Sequence, residues 1–548
     1  MRFFLTIFFC FFLSFLSFSQ GLMDPKNNTT RQDTLRGSIT PERSWWDLNY
    51  YHLDISVNPE KKHIEGSNSV YYTVLSSNNV MQIDLQEPLE LLMAKQEGEE
   101  LEIQKEGNAY FINLKRNQIV GSLEKIKLFY KGNPREAVNA PWDGGISWEK
   151  DDNGNHFIAS SCQGLGASVW WPNKDHMYDE VDSMKISVNV PKGLTNVSNG
   201  RLLEIEEKKN SNTFHWFVNN PINNYGVNIN IGDYVRFSEV YDGENGNLDL
   251  DYFVLSYNLA KAKEQFKQVP MMIEAFEHWF GPYPFYEDSF KMVEAPYLGM
   301  EHQSSITYGN GYTNGYKGSS YPSNSKWGLK FDYIIIHEGG HEWFANNITY
   351  RDIADMWIHE GFTTYSENLY VEYFYGKEAG AEYVISSRKG ISNFKPIITG
   401  EYGVNRESSG DIYAKGANVL HTLRQLTKDD ELWRDTLRGI NKDFFHQTVS
   451  SNQIENYISK KLNINLKKFF DQYLRDTRIP IFEYEINDGE LKYRWSNVIN
   501  GFNMPIEINL DNKSIKLFPV MDWKHLKTIE GNLEINKNYY VKSNKIFN

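Results

Sequence analysis

The sequence predicts a multidomain protein: an all-β N-terminal domain, an α/β (mainly α) middle domain and a small β-rich C-terminal domain. Three observations carry this. Apolar and polar residues alternate at period two from Trp45 to about Phe237, the period then lengthens to that of helices, and the alternation returns after Pro480. With 548 residues, 40% hydrophobic and 23% charged, the chain has the composition of a globular protein and enough length for several cores.

Taken in order, Arg2 and the apolar run at residues 3–18 have the form of a secretory signal peptide, expected over residues 1–20 with cleavage after Gln20, an uncleaved membrane anchor being the alternative. Cys10 lies within the run, but Ile7, Phe8 and Phe9 upstream are not the small residues of a lipid-anchor signal. No later stretch is long and apolar enough to span a bilayer. The expectation is an exported protein, periplasmic or extracellular, with no stable membrane partner once the signal is removed. Cys162 is then the sole cysteine of the mature chain, so no internal disulfide is available. The net charge of −14 argues against nucleic acid as a partner, because phosphate binding needs a basic surface.

Residues 21–44 are polar and expected to be a flexible leader. Residues 45–237 form the β domain: Tyr51, Leu53, Ile55 and Val57 alternate with polar neighbours, as do Met184, Ile186, Val188 and Val190. The middle domain, residues 238–480, contains helix-like stretches at 259–280, 417–426 and 454–462. The first stops at Gly281-Pro282, and the last is entered through Ser450 and Ser451 as N-cap candidates. Residues 307–327, rich in Gly, Tyr, Ser and Asn, are expected to form a surface loop near the functional site. In residues 481–548, Phe482, Tyr484 and Ile486 lead through Asn487-Asp488-Gly489 to Leu491, Tyr493 and Trp495, a hairpin pattern.

Within the middle domain the segment His337-Glu338-Gly339-Gly340-His341, followed by Glu360, has the spacing of a metal centre. Residues i and i+4 of a helix lie about 40° apart around the axis and about 6 Å apart along it, so two imidazoles can grip one ion. Glu338 follows the first histidine, where its carboxylate faces a water rather than the metal. Catalytic zinc takes three protein ligands and keeps a position open, which makes Glu360 the third ligand and zinc, one per chain, the expected cofactor. The flanking Ile334, Ile335, Ile336, Trp343 and Phe344 predict a buried helix. Ionisable groups in such a helix need metal or partners. Gly339 and Gly340 suggest close approach of another backbone or of substrate. Glu367, seven residues after Glu360, falls on nearly the same helix face and is placed to hydrogen-bond a ligand histidine.

His337-Glu338-x-x-His341, Trp343-Phe344-Ala345-Asn346 and Trp357-Ile358-His359-Glu360-Gly361-Phe362 resemble the zinc aminopeptidase family that contains aminopeptidase N and leukotriene hydrolase. The resemblance implies a thermolysin-like catalytic domain, with His337, His341 and Glu360 on zinc and Glu338 as base. Leu298-Gly299-Met300-Glu301-His302 is similar to the family's Gly-x-Met-Glu-Asn element, in which the Glu anchors the substrate's free α-amino group. Leu298 and His302 depart from it. Gln163, in Ser161-Cys162-Gln163-Gly164, matches a substrate-binding glutamine of the β domain. Tyr413, in Tyr413-Ala414-Lys415-Gly416, matches the tyrosine that stabilises the oxyanion. Gly299, Met300, Glu301, His302 and Gln163 are thus the expected substrate-binding residues, and Glu338 and Tyr413 the expected catalytic ones. The implied activity is removal of the N-terminal residue from peptides with a free N-terminus. A thermolysin-type endopeptidase shares the same metal set, a lipid epoxide hydrolase occurs in the same family, and a non-catalytic binding protein on a peptidase scaffold is the remaining alternative.

Overall fold

The computed structural model describes residues 29–427, 429–510, 513–527 and 532–547. The expected signal peptide lies outside the described residues. The β domain centres on a long antiparallel pair, Trp46–Asn58 with His63–Val74, in an eight-stranded sheet. The first of these strands also runs parallel to Ser183–Pro191. The alternation sorts side chains as expected: Tyr51, Leu53, Ile55, Val57, Met184, Ile186, Val188 and Val190 are all buried. The strand His156–Ser161 of a smaller, four-stranded sheet leads into the loop that carries Gln163.

The leader expected over residues 21–44 is corrected from Arg31 onward. Arg31–Gly37 (α1) and Pro41–Ser44 (α2) are helices packed on the β domain. A capping box between Thr30 and Asp33 starts α1, and Leu35 is buried. Arg43 has no exposed surface. It pairs with Asp84 and donates to the carbonyls of Leu35, Arg36 and Ser38. Polar composition misled here because the segment is fixed by a buried cation and its partners, which leave no apolar periodicity in the sequence.

The middle domain holds a five-stranded sheet in the spatial order Tyr234–Gly243, Gly246–Leu255, Phe290–Glu294, Ile306–Tyr308, Gly299–Met300. The boundary expected at 237 therefore falls inside its first strand. Alternation runs on across the true boundary because strands lie on both sides of it. The helices are α3 (Leu259–Gln265), α4 (Gln268–Phe280), α5 (Tyr333–Gly340), α6 (Trp357–Tyr375), α7 (Lys377–Ser386), α8 (Ala414–Thr427), α9 (Asp430–Asp443), α10 (Ser451–Leu462) and α11 (Lys467–Leu474). Gly281 terminates α4, and Ser450 caps α10 through a box with Gln453. Among the described residues no helix is long and apolar enough to cross a membrane.

One helix crossing positions the site. α6 and α8 touch at Gly361 and Gly416, where a Cβ on Gly416 would stand 2.8 Å from the Gly361 Cα. Only two glycines allow this approach, and it brings Glu360, one residue before the contact, close to Tyr413, three residues before it.

The C-terminal domain is a pair of small sheets. The expected hairpin, Ile481–Asn487 with Glu490–Ser496, forms the centre of one, and Ile506–Leu510 lies at the centre of the other. Its apolar residues are continuous with the middle-domain core. Tyr473 of α11 donates to the Tyr540 carbonyl at 2.8 Å, and Arg388 Nη1 to the Lys537 carbonyl at 2.8 Å, so the domain is fastened to the helical side of the middle domain.

Candidate active site

The two histidines come from one stretch of chain. α5 is buried along its whole length and ends at Gly340; His341 caps it with helical backbone angles. The chain then passes into a π turn, Glu342–Asn346, instead of continuing the α-helix through Trp343 and Phe344. Such turns are rare and concentrate at functional sites. Here the turn points the Phe344 carbonyl back at His341, whose Nδ1 donates to it at 3.0 Å, with Thr363 Oγ1 also at 3.0 Å. His337 Nδ1 donates to Glu367 Oε1 at 2.7 Å, and Glu367 is held in turn by the Tyr383 hydroxyl at 2.5 Å. Both imidazoles are thereby set with Nε2 free, facing Glu360.

Glu360 Oε2 lies 3.4 Å from His341 Nε2 and 3.7 Å from His337 Nε2. It is buried and has no hydrogen-bond partner among the described residues. An unsatisfied carboxylate oxygen between two imidazole lone pairs is the environment a divalent cation requires. Two nitrogens and one oxygen are a zinc donor set. The three expected ligands are thus brought together, and the expected second contact from Glu367 is present. Removing that contact by Glu367→Gln should weaken zinc affinity about 10- to 100-fold. Competition with a chromophoric chelator measures it, and unchanged affinity would remove Glu367 from this role.

Glu301, Glu338 and His341 offer atoms that all lie within 4.8 Å of one another. The Glu301 carboxylate accepts from Gln163 Nε2 at 2.6 Å and from the Tyr225 hydroxyl at 3.1 Å, and Gln163 Nε2 also reaches Glu360 Oε1 at 3.1 Å. Its backbone carbonyl is fixed by Asn346 Nδ2 at 2.8 Å. Burial pushes the Glu301 carboxyl above its usual range, against the opposing pull of His341. Burial likewise pushes Glu338 up to about 7, outweighing the imidazole of His337. Tyr413 stacks over His337 with ring centroids 6.2 Å apart. Burial and the carboxylate of Glu360 keep its phenol protonated.

Gly299 and Met300 form the edge strand of the five-stranded sheet beside α5. A Cβ on Gly299 would stand 3.2 Å from Glu338 Oε1 and 2.7 Å from Ile334. His302 is different: it has no exposed surface, neither ring nitrogen has a partner among the described residues, and burial lowers its pKa to about 3. It is a neutral packing residue and does not reach the cleft surface where a substrate contact was expected. Gly339 and Gly340 also depart from expectation. They face the side chains of Met272 and Ser366, so they serve helix packing and not another backbone or substrate. Glu342 accepts from the Ser304 N–H at 2.8 Å and from the Tyr283 hydroxyl at 3.0 Å, which accounts for a second glutamate in an apolar stretch.

Sequence reasoning missed Tyr225, Thr363, Tyr383 and Tyr333, whose ring stacks on His337 at 5.0 Å. Helical spacing from Glu367 (i, i+16) gives no signal for Tyr383, and Tyr225 comes from another domain. Of these, Thr363, at i+3 from Glu360, and Tyr333, four residues before His337 on α5, had positions that a face argument could have flagged. The loop at 307–327 does border the site as expected: Tyr316 packs edge-on against Tyr333 at 5.5 Å.

Residues 264–473 match the family model described as the Peptidase family M1 domain. The chain is 21% identical over 491 residues to a leucyl aminopeptidase of Saccharolobus solfataricus, covering 84% of this chain and 60% of that one. It is 23% identical over 364 residues to human aminopeptidase B, covering 62% and 52%, and 20% identical over 357 residues to a probable aminopeptidase 1 of Sulfurisphaera tokodaii, covering 62% and 44%. The chain thus spans about half the length of the curated relatives it matches. In structure it is similar to an M1 zinc metallopeptidase from Deinococcus radiodurans solved as a mutant with a Tyr-Ser-Ala substrate. The TM-score is 0.65 at 19% identity, covering 79% of this chain and 95% of that one, which shows a shared fold. A thermolysin-like domain beside a β domain and a donor set suited to one zinc agree with the match of residues 264–473, which include both ligand helices, to the Peptidase family M1 domain.

Proposed function

We propose that the chain is a zinc-dependent aminopeptidase that hydrolyses the first peptide bond of substrates with a free N-terminus. The observation that carries this reading is the position of Glu301. Its carboxylate is held by Gln163 and Tyr225 within a few ångströms of Glu338 and His341. A buried carboxylate there pairs with an ammonium group and sets the reacting carbonyl one residue away from it.

His337, His341 and Glu360 would hold the zinc, which when bound would supply a Lewis acid able to lower the pKa of a water towards 7. Glu338 accepts the proton of the attacking water and returns it to the leaving amine. Tyr413 donates a hydrogen bond to the carbonyl oxygen as that oxygen gains charge. Glu301 holds the ammonium, with Gln163 fixing the carboxylate that does so. The edge strand Gly299–Met300 offers backbone groups for an extended peptide to lie against.

The test is a fluorogenic amino-acid amide offered with a free and with an acetylated amine, to protein of measured zinc content. Cleavage of the free amide alone, at one zinc per chain and abolished by chelation, is the expected result. An acetylated substrate gives Glu301 no cation and leaves a desolvated carboxylate unpaired, a mismatch of the kind that costs about 10⁴ to 10⁵ in kcat/KM. Equal cleavage of both substrates would favour the endopeptidase reading. Export belongs to the same proposal: Arg2 and the apolar run at 3–18 support a signal peptide, and N-terminal sequencing of secreted protein should begin at Gly21.

A further inference from the structure

Arg36, from the segment whose composition suggests a leader, reaches the loop that carries Gln163. Its Nη2 donates to the Gly164 carbonyl at 2.9 Å, and its Nε lies 3.4 Å from Asp175 Oδ2. The Asp175 side chain is only 4% exposed, so the guanidinium is its charge partner. The same Gly164 carbonyl accepts a bond from Asn405 Nδ2 of the middle domain at 3.3 Å. The Asn405 N–H in turn donates to the Asp33 carbonyl of α1 at 3.0 Å. Gly37 lies so close to the Val404-Asn405 segment that a Cβ would stand 2.2 Å from Asn405 N. Three segments distant in sequence therefore meet at one carbonyl oxygen.

The turn beneath them is shaped to the guanidinium. Gly164 and Gly166 have φ of +69° and +95°, and a Cβ on Gly166 would stand 2.1 Å from Arg36 Nη2. One residue before the doubly held carbonyl, the Gln163 amide spans Glu301 and Glu360. A side-chain amide serving two buried carboxylates is only as well placed as the turn that carries it.

We propose that Arg36 is a positioning residue for the amine-binding end of the site: α1 straps the β domain to the catalytic domain across the Gln163 turn, and the Arg36 guanidinium fixes where Gln163 meets Glu301. This rests on the aminopeptidase reading for its kinetic consequence, though not for its structural one. Without the guanidinium the Gly164 carbonyl keeps one donor, Asp175 loses its cation and the turn relaxes. Glu301 then holds the substrate ammonium less well in both ground and transition states. Loss of such uniform binding raises KM and leaves kcat in place.

The experiment compares Arg36→Met with wild type in the zinc-loaded full chain. The expected result is a KM about tenfold higher for an amino-acid amide, with kcat within about twofold and zinc content unchanged. In a Gln163→Ala background the same substitution should add nothing further, since its effect runs through Gln163. Amide hydrogen exchange across residues 162–166 should speed up in Arg36→Met whether or not any substrate is turned over. Should Arg36→Met fold poorly, Asn405→Ala removes the other donor to the same carbonyl and leaves Asp175 paired; it should show a smaller rise in KM, again absent without Gln163. An unchanged KM, an equal factor in both backgrounds, or unaltered exchange in the turn would each overturn the proposal. A wild type inert towards free amides, with the turn still loosened in Arg36→Met, would sink the aminopeptidase reading and leave the positioning role standing.

Discussion

Glu338→Gln should yield a folded protein that keeps its zinc and loses about 10² to 10⁴ in kcat, the range a positioned general base contributes. The substitution preserves shape and removes only the proton acceptor. Glu338 is 8% exposed and has no hydrogen-bond partner among the described residues, so the change strands no neighbour. It also removes a buried carboxylate that costs free energy to ionise, so the melting temperature should hold or rise. Metal analysis, thermal melting and kcat on the same sample separate these effects: a loss of zinc or of fold along with activity would mean that the residue supports the centre and is not its base. The wild-type pH profile gives an independent check. Burial pushes the Glu338 carboxyl up to about 7. The ionised form is the one that accepts a proton, so kcat/KM should fall on the acid side as this carboxyl is protonated, and that fall should be absent in Glu338→Gln.

The features of the site that residue spacing revealed are those that travel along a single helix, whereas Glu301, Gln163 and Tyr413 were legible only through the family resemblance. His337, Glu338 and His341 lie in one stretch, and Glu360 and Glu367 share a face of another; helical geometry alone relates each set. Glu367 was legible for this reason, and its 2.7 Å bond to His337 is the outcome. Most of what escaped notice is held across elements. Tyr225 and Tyr383 reach Glu301 and Glu367 from remote parts of the chain, and nothing in local spacing marks them. The π turn after His341 escaped for a different reason: Trp343 and Phe344 are good buried-helix residues, and the departure depends on backbone angles at Phe344 and Ala345 that no local propensity encodes. The β domains were legible because a half-buried strand writes its two faces into alternate residues. The helices at 31–44 were not, since Arg43 and Asp84 anchor them as a buried pair and polar residues inside look the same in sequence as polar residues outside. His302 shows the converse error. Its position in a family element, from which the residue itself departs, placed it at the substrate, whereas burial without a partner among the described residues places it in the packing.

Tyr413→Phe should lower kcat by about 10² to 10³ while leaving KM within a few-fold, the signature of a donor that acts on the charge formed in the transition state. The phenol is suited to donate: burial and the surrounding carboxylates, Glu360 first among them, keep it protonated throughout the working pH range. Its ring is set over His337, and its distance from Glu360 is fixed by the close contact of Gly361 with Gly416, so the hydroxyl is preorganised before substrate arrives. Preorganisation is what gives one hydrogen bond this leverage, because a donor already aimed at the developing oxyanion needs no reorganisation during reaction. The alternative role, as a contact to bound substrate, predicts the opposite split. A hydroxyl that binds the ground state as strongly as the transition state would raise KM on removal and leave kcat alone. Steady-state kinetics of Tyr413→Phe on one amino-acid amide therefore distinguishes the two roles, and a raised KM at unchanged kcat would take Tyr413 out of the catalytic step.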